Sequence, residues 1–228
     1  MNIALKSKHA LVGGSSKGLG NAVAKQLALS GAKVTLVARS NDLLENTISE
    51  LNELTACDHE YIICDYNDHE EYAKIIGDYL ENNTIDILVN NTQGPKAGDV
   101  NSLSIEDYQN AFDLLFKNIV FTTMMALEKM KKNKWGRIIN MTSVSVKEPL
   151  SYLALSNSIR SSVISWAKTL SNDLGSNNIT INNILTGYFD TERLKELNSE
   201  KAKKFNVEIE KLYETMKQQV PLKRIGDP

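Results

Sequence analysis

Short apolar runs rich in β-branched residues alternate with stretches whose apolar positions recur at helical spacing, from about residue 9 to about residue 185. That alternation predicts parallel strands joined by helices that cover both faces of one sheet. Strands are predicted at His9–Gly13, Lys33–Ala38, Tyr61–Cys64, Asp86–Asn90, Arg137–Met141 and Ile179–Leu185. Helices are predicted at Leu19–Leu29, stopped by Gly31, at Asp42–Leu54, and near Glu70–Leu80. A long helix follows from Ser104, where Ser104 and Asp107 form a capping box, to about Lys131, and another runs from about Leu150 to Leu174.

The pattern changes at Thr191–Gln219, which is rich in Lys and Glu and has only sparse apolar positions such as Leu194, Leu197, Phe205 and Leu212. One or two surface helices are predicted there. They read as a lid at about 188–220, as a solvated structural excursion, or, less simply, as a helix for a coiled-coil partner.

Composition narrows the class. With 228 residues, 42% hydrophobic and 24% charged, the chain suits a single domain over 1–228 with one large core. Its 26 basic and 28 acidic residues are spread along its length, so no footprint for nucleic acid or an anionic membrane stands out. Met1–Lys8 carries no apolar signal run and no later stretch approaches the ~18 apolar residues of a membrane span, so a cytoplasmic location is expected. Cys57 and Cys64 read as packing residues of a reducing compartment. The consecutive Cys57, Asp58, His59 and Glu60 read as a solvated turn, because four adjacent residues do not easily wrap one ion; no metal is expected.

Candidate chemistry begins where the first strand meets the first helix, in Gly13-Gly14-Ser15-Ser16-Lys17-Gly18-Leu19-Gly20. Glycines let the backbone turn sharply and approach a pyrophosphate, while a helix N-terminus offers free N–H groups and partial positive charge. In this context the segment reads as a dinucleotide site of a Rossmann-type, doubly wound, three-layer α/β/α fold. After the second strand, where NAD sites place a carboxylate, stand Arg39 and Ser40. A cation there favours the 2′-phosphate of NADP, and Lys17 adds a second charge; the alternative is that both are ordinary solvated loop charges.

Together with this turn, several spaced motifs resemble the short-chain dehydrogenase/reductase family, in particular its 3-oxoacyl-carrier-protein reductase-like members. They are Asp65 after the third strand, Asn90-Asn91-Thr92-Gln93-Gly94 after the fourth, Gly136 to Ser143 through the fifth, Asn183 to Gly187 after the sixth, then Thr191, and Pro221 to Pro228. The resemblance spans nearly the whole chain. It implies an NADP(H) cofactor, with Asp65 and Tyr66 near the adenine, Asn90, Asn91 and Gly94 lining the cleft, and Gly187 and Thr191 approaching the nicotinamide. It also implies a homodimer or homotetramer packed through helices near 112–130 and 150–174. Two positions depart from the family: Gly13 stands where Thr is usual, and Thr186 where Pro is usual.

The family's catalytic Ser, Tyr, Lys and Asn are mostly replaced. Ser143 occupies the serine position; family spacing then puts Ser156 and Arg160 at the Tyr and Lys positions, and Leu115 at the Asn position. A tyrosine of pKa ~10 can be tuned by a lysine into a proton donor, which a serine cannot match. Arg160 retains the capacity to hold the nicotinamide ribose. Tyr152, read as one helical turn before Ser156, is a candidate substitute or a pocket-wall aromatic, and Asn118 a weaker substitute for the missing Asn. Structurally, Ser143 reads alternatively as a strand-end cap and Ser156 as a packing residue.

Family members continue beyond a segment like Pro221–Pro228 by roughly a strand and a helix; a molecule without them would lose a seventh strand and expose a sheet edge that a neighbour could cover. Three functions follow: an NADPH-dependent reductase of a small carbonyl or alcohol substrate, a non-catalytic NADP(H) sensor or scaffold, and an acyl-chain or metabolite binder under the 191–219 lid.

Overall fold

Buried parallel strands need near-continuous apolar runs, and Ala10, Leu11 and Val12 of the first strand are 0–2% exposed in the computed structural model, which describes residues 3–228. Six strands, β1 (His9–Gly13), β2 (Lys33–Ala38), β3 (Glu60–Ile63), β4 (Ile87–Asn90), β5 (Gly136–Met141) and β6 (Ile179–Ile184), form one all-parallel sheet in the order β3-β2-β1-β4-β5-β6. The order reverses direction between β1 and β4, the crevice where doubly wound folds bind ligands.

Helices α1 (Gly18–Leu29), α2 (Asn41–Leu54), α3 (His69–Asn82), α4 (Ile105–Phe112), α5 (Asn118–Asn133) and α6 (Ala154–Leu174) fill the crossovers. One core, including Ala24, Ala28, Leu44 and Leu51, lies under α1 and α2; the other, including Ile76, Leu127, Met130 and Leu174, lies under α3, α5 and α6. Cys64 is 2% exposed, and burial pushes its thiol up to about 12, which suits packing and not reactivity. The bonds of His59 account for the Cys57–Glu60 segment. Its Nδ1 accepts from the Val34 amide at 3.1 Å, and its Nε2 pairs with Thr55 Oγ1 at 2.7 Å.

Two predicted helices differ in form. The stretch expected as one helix from Ser104 to Lys131 keeps its Ser104/Asp107 capping box, but widens into a π turn at Asp113–Lys117 between α4 and α5. The helix expected from Leu150 begins at Ala154, because Gly98 intervenes: its amide donates to the Tyr152 carbonyl at 2.8 Å and its carbonyl accepts from Ala154 at 3.1 Å. Tyr152 therefore sits in a turn ahead of α6. The premise that Tyr152 lies one helical turn before Ser156 is corrected accordingly.

The chain divides into two compact units, the first ending at Leu185 and the second spanning Thr186–Pro228. In the second, α7 (Glu192–Phe205) and α8 (Ile209–Gln219) realise the predicted surface helices. They meet through Asn198, 1% exposed, whose amide donates to the Met216 sulfur at 3.6 Å. Phe189 and Gly226 form a short parallel bridge, with Asp190 N–H donating to the Gly226 carbonyl. No helix among the described residues is long and apolar enough to cross a membrane.

Candidate functional site

Glycine is required in the turn after β1 by conformation and by space. Gly14 and Gly18 have φ of +53° and +58°, and a Cβ on Gly20 would lie 2.2 Å from the Gly14 carbonyl oxygen. Asn91 ties this turn to the end of β4, its Nδ2 donating to the carbonyls of Gly13 and Gly14 at 3.0 and 3.3 Å. The first turn of α1 carries no acidic residue, and its N-cap, Lys17, makes no side-chain cap bond. The lysine side chain has no acceptor atom to cap the leading amides Gly18, Leu19 and Gly20, and no carboxylate of that turn offsets the positive end of the helix dipole, as suits an anion site.

Ser15 draws this turn against β2. The Val37 amide donates to its Oγ at 3.0 Å, and the residue is fully buried. Two residues beyond Val37, Arg39 is exposed, and Ser40 caps α2 without a side-chain cap bond. Ser16 and Lys17, next along the turn, therefore share the C-terminal edge of the sheet with Arg39 and Ser40.

The other residues of the set make the following contacts. Asp65 Oδ1 accepts from the Asn67 backbone amide at 3.0 Å. The Tyr66 ring turns inward, 8% exposed, and packs against Tyr72 at a tilt of 38°, with centroids 4.9 Å apart. Asn90 is 6% exposed; its Nδ2 donates to Asn140 Oδ1 at 2.8 Å and Thr123 Oγ1 at 3.0 Å, so its side chain belongs to the sheet interior. Gly94 lies in the loop after β4. Gly187 and Thr191 belong to the second unit, where Thr191 caps α7 by accepting from the Leu194 amide at 3.3 Å.

Around the end of β5, Ser143 Oγ accepts from the Ser145 amide at 3.1 Å and so caps a short 3-10 turn. Ser156, in the first turn of α6, is 9% exposed. Arg160 donates through Nε to Ser156 Oγ at 3.2 Å and through Nη1 to the Met141 carbonyl at 2.7 Å. The two positions equated with Tyr and Lys are thus joined to each other. Leu115, fully buried, lies within the π turn. Asn118 is no free substitute for the missing Asn: fully buried, it donates to the Tyr66 carbonyl at 2.8 Å and pairs with His69 Nδ1 at 2.6 Å. The π turn itself, a feature frequent at functional sites, left no mark in the hydrophobic period.

Comparison with known proteins agrees with this architecture. The 3-oxoacyl-acyl-carrier-protein reductase of Synechocystis sp. is 30% identical over 99% of this chain and 86% of its own length. The NADPH-dependent reductase BacG of Bacillus subtilis is 26% identical over 97% of this chain and 86% of its own. Among solved structures, L-sorbose reductase from Gluconobacter frateurii, complexed with NADPH and L-sorbose, superposes with a TM-score of 0.90 at 25% identity, covering all of this chain and 88% of that one. Actinorhodin polyketide ketoreductase with NADPH gives 0.88, also at 25% identity, over 97% and 86% of the two chains. The profile of the short chain dehydrogenase family matches residues 8–202, and the chain belongs to that family.

Proposed function

We propose that the protein is an NADP(H)-dependent oxidoreductase that reduces a carbonyl, a ketone or a 3-oxoacyl group, by hydride transfer with an atypical catalytic set. The observation that carries this reading is the uncapped glycine turn, fastened through Ser15 to the strand that presents Arg39. The turn fits a pyrophosphate, because its glycines leave the backbone bare where side chains would block it. The cations Arg39 and Lys17, with the Ser40 hydroxyl, suit a 2′-phosphate. BacG, actinorhodin ketoreductase and L-sorbose reductase, all named with NADPH, support the same cofactor.

When bound, the cofactor supplies the hydride. The protein has then to orient the carbonyl, polarise its oxygen and furnish a proton. Ser143, at the mouth of β5, is the donor we assign to the carbonyl oxygen. Arg160 adds fixed positive charge close by, with Nε and Nη1 anchored in a forked geometry that a lysine does not offer. Gly187 and Thr191 we assign to the nicotinamide end of the cofactor, as the family resemblance implies, and the enzyme acts as a homodimer or homotetramer.

The test is NADPH consumption by the purified protein with a panel of ketones and 3-oxoacyl thioesters. Turnover is expected, lost in Ser143→Ala and retained in part by Ser143→Thr. The Ser156–Arg160 bond favours a second reading, an NADP(H)-binding sensor or scaffold, since it occupies both positions with each other. Tight NADPH binding without turnover on any substrate would select that reading.

A further inference from the structure

The departure at Gly13 has a partner in space. A Cβ built on Gly13 would stand 2.6 Å from the Tyr66 hydroxyl and 2.4 Å from the Asn91 carbonyl oxygen. The phenol therefore occupies room that a threonine would claim, and glycine and tyrosine are a matched pair. The same hydroxyl lies beside the backbone amide of the next residue of the turn, Gly14, which pulls its ionisation down against the larger effect of burial. Burial keeps the phenol neutral, well above its ordinary ionisation range.

Tyr66 is also held from every other side. Its ring packs at a tilt against Tyr72, whose own hydroxyl pairs with Thr122 on α5 at 2.5 Å, and its carbonyl accepts from Asn118. The gap left among Gly13, Tyr66, Asn90, Asn91 and Asn118 is about 10 Å³, room for no more than about one water. The phenol is thus a rigid floor beneath the turn, carried by α3 and α5.

We infer that Tyr66 is a positioning residue for the dinucleotide: its hydroxyl, seated against Gly13, fixes the glycine turn and so sets the affinity for the pyrophosphate. It acts through the Gly13–Gly20 backbone and not by touching the adenine. The inference rests on the NADP(H) reading above.

The experiment measures binding of NADPH and of adenosine 2′-monophosphate, which carries the 2′-phosphate but no pyrophosphate, to the full chain. Tyr66→Phe removes only the hydroxyl. It is expected to weaken NADPH about fivefold, the scale of one lost neutral polar contact of ~1 kcal/mol, while leaving adenosine 2′-monophosphate unchanged. Tyr72→Phe loses a neighbouring buried hydroxyl that does not touch the turn, and should keep both affinities. Should Tyr66→Phe not fold, Tyr66→Met, which fills the site without a hydroxyl, carries the same expectation. Equal NADPH affinity in wild type and Tyr66→Phe overturns the inference alone. Parallel losses for both ligands, or for both phenylalanine variants, also overturn it, since they would mark general loosening. If the wild type itself fails to bind NADPH, the cofactor reading falls and the inference with it.

Discussion

Arg160 and Ser156 are bonded to each other, Nε to Oγ at 3.2 Å, and the same guanidinium reaches back to the Met141 carbonyl at 2.7 Å. One side chain thus ties the start of α6 to the end of β5. A fork with separated donors suits that geometry, whereas an ammonium is a single point. Arg160→Lys is expected to lower the unfolding free energy by about 1–2 kcal/mol, the scale of a charge-assisted bond discounted for partial exposure. Urea unfolding of the two proteins checks this.

The same pair sets a gain-of-function test. Ser156→Tyr combined with Arg160→Lys places Tyr and Lys at the positions that the family resemblance equates with that pair. A positioned general acid contributes about 10²- to 10⁴-fold, so NADPH consumption with a responsive carbonyl should rise by a factor in that range. A folded, NADPH-binding double variant without a rise would show that the proton comes from elsewhere.

Arg39 is the residue on which cofactor choice is expected to turn. Losing a charge-assisted contact to phosphate costs about 1.5–3 kcal/mol, or roughly 10- to 100-fold in affinity. Arg39→Ala should therefore weaken NADPH by that factor and leave NADH nearly unchanged, as read by calorimetric titration. Equal losses for both nucleotides would remove the 2′-phosphate from its role.

The strand positions were legible because strands such as β1 are buried on both faces and read as unbroken apolar runs. The glycine turn was legible because its residues satisfy local backbone demands. What escaped depends on distant partners. Leu150–Leu153 carries apolar residues as a helix would, yet Gly98, some fifty positions earlier, takes its backbone bonds. Tyr66 stands beyond the end of β3 at Ile63, where strand alternation no longer says which way a side chain faces. The π turn at Asp113–Lys117 inserts without disturbing the buried leucines that define the helix face.

Acid should loosen the fold in two stages. Burial holds the imidazoles of His9 and His59 below their ordinary pKa of 6.5; for His9, Lys33 adds to this while Glu60 and Asp86 oppose it. Below pH 6.5 the unfolded chain takes up protons that the native state refuses, so stability falls as pH drops from 6.5 through the native values. Each imidazole contributes at most about 1.4 kcal/mol per pH unit. Glu60 follows. Burial alone would raise its carboxyl, but bonds from Tyr79, Lys33 and Thr35 outweigh it and hold the group below 4.5. That contribution is present above pH 4.5 and is lost as pH falls through the depressed native value. Melting temperatures from pH 7 down to about pH 2.5 check the sequence, and His9→Gln should flatten the upper stage.

Asn140 carries the last prediction. Residues Asn90, Asn140 and Asn183 sit in register on β4, β5 and β6. Asn90 donates to Asn140 at 2.8 Å and Asn140 to Asn183 at 3.0 Å, so the central amide, fully buried, is both acceptor and donor. Asn140→Ala removes both bonds, leaving Asn90 with Thr123 alone and the Asn183 side-chain carbonyl without this donor, at a cost of about 2–3 kcal/mol. Asn140→Asp separates the two roles by pH. An ionised carboxylate still accepts from Asn90 but loses the donor to Asn183 and buries a charge, whereas the protonated acid can make both bonds. Burial raises such a carboxyl's pKa. The deficit of Asn140→Asp against wild type, measured at each pH by urea unfolding, should therefore be larger at pH 7 than at pH 5. A deficit independent of pH would mean that the ladder opens around the substituted residue and lets water reach it.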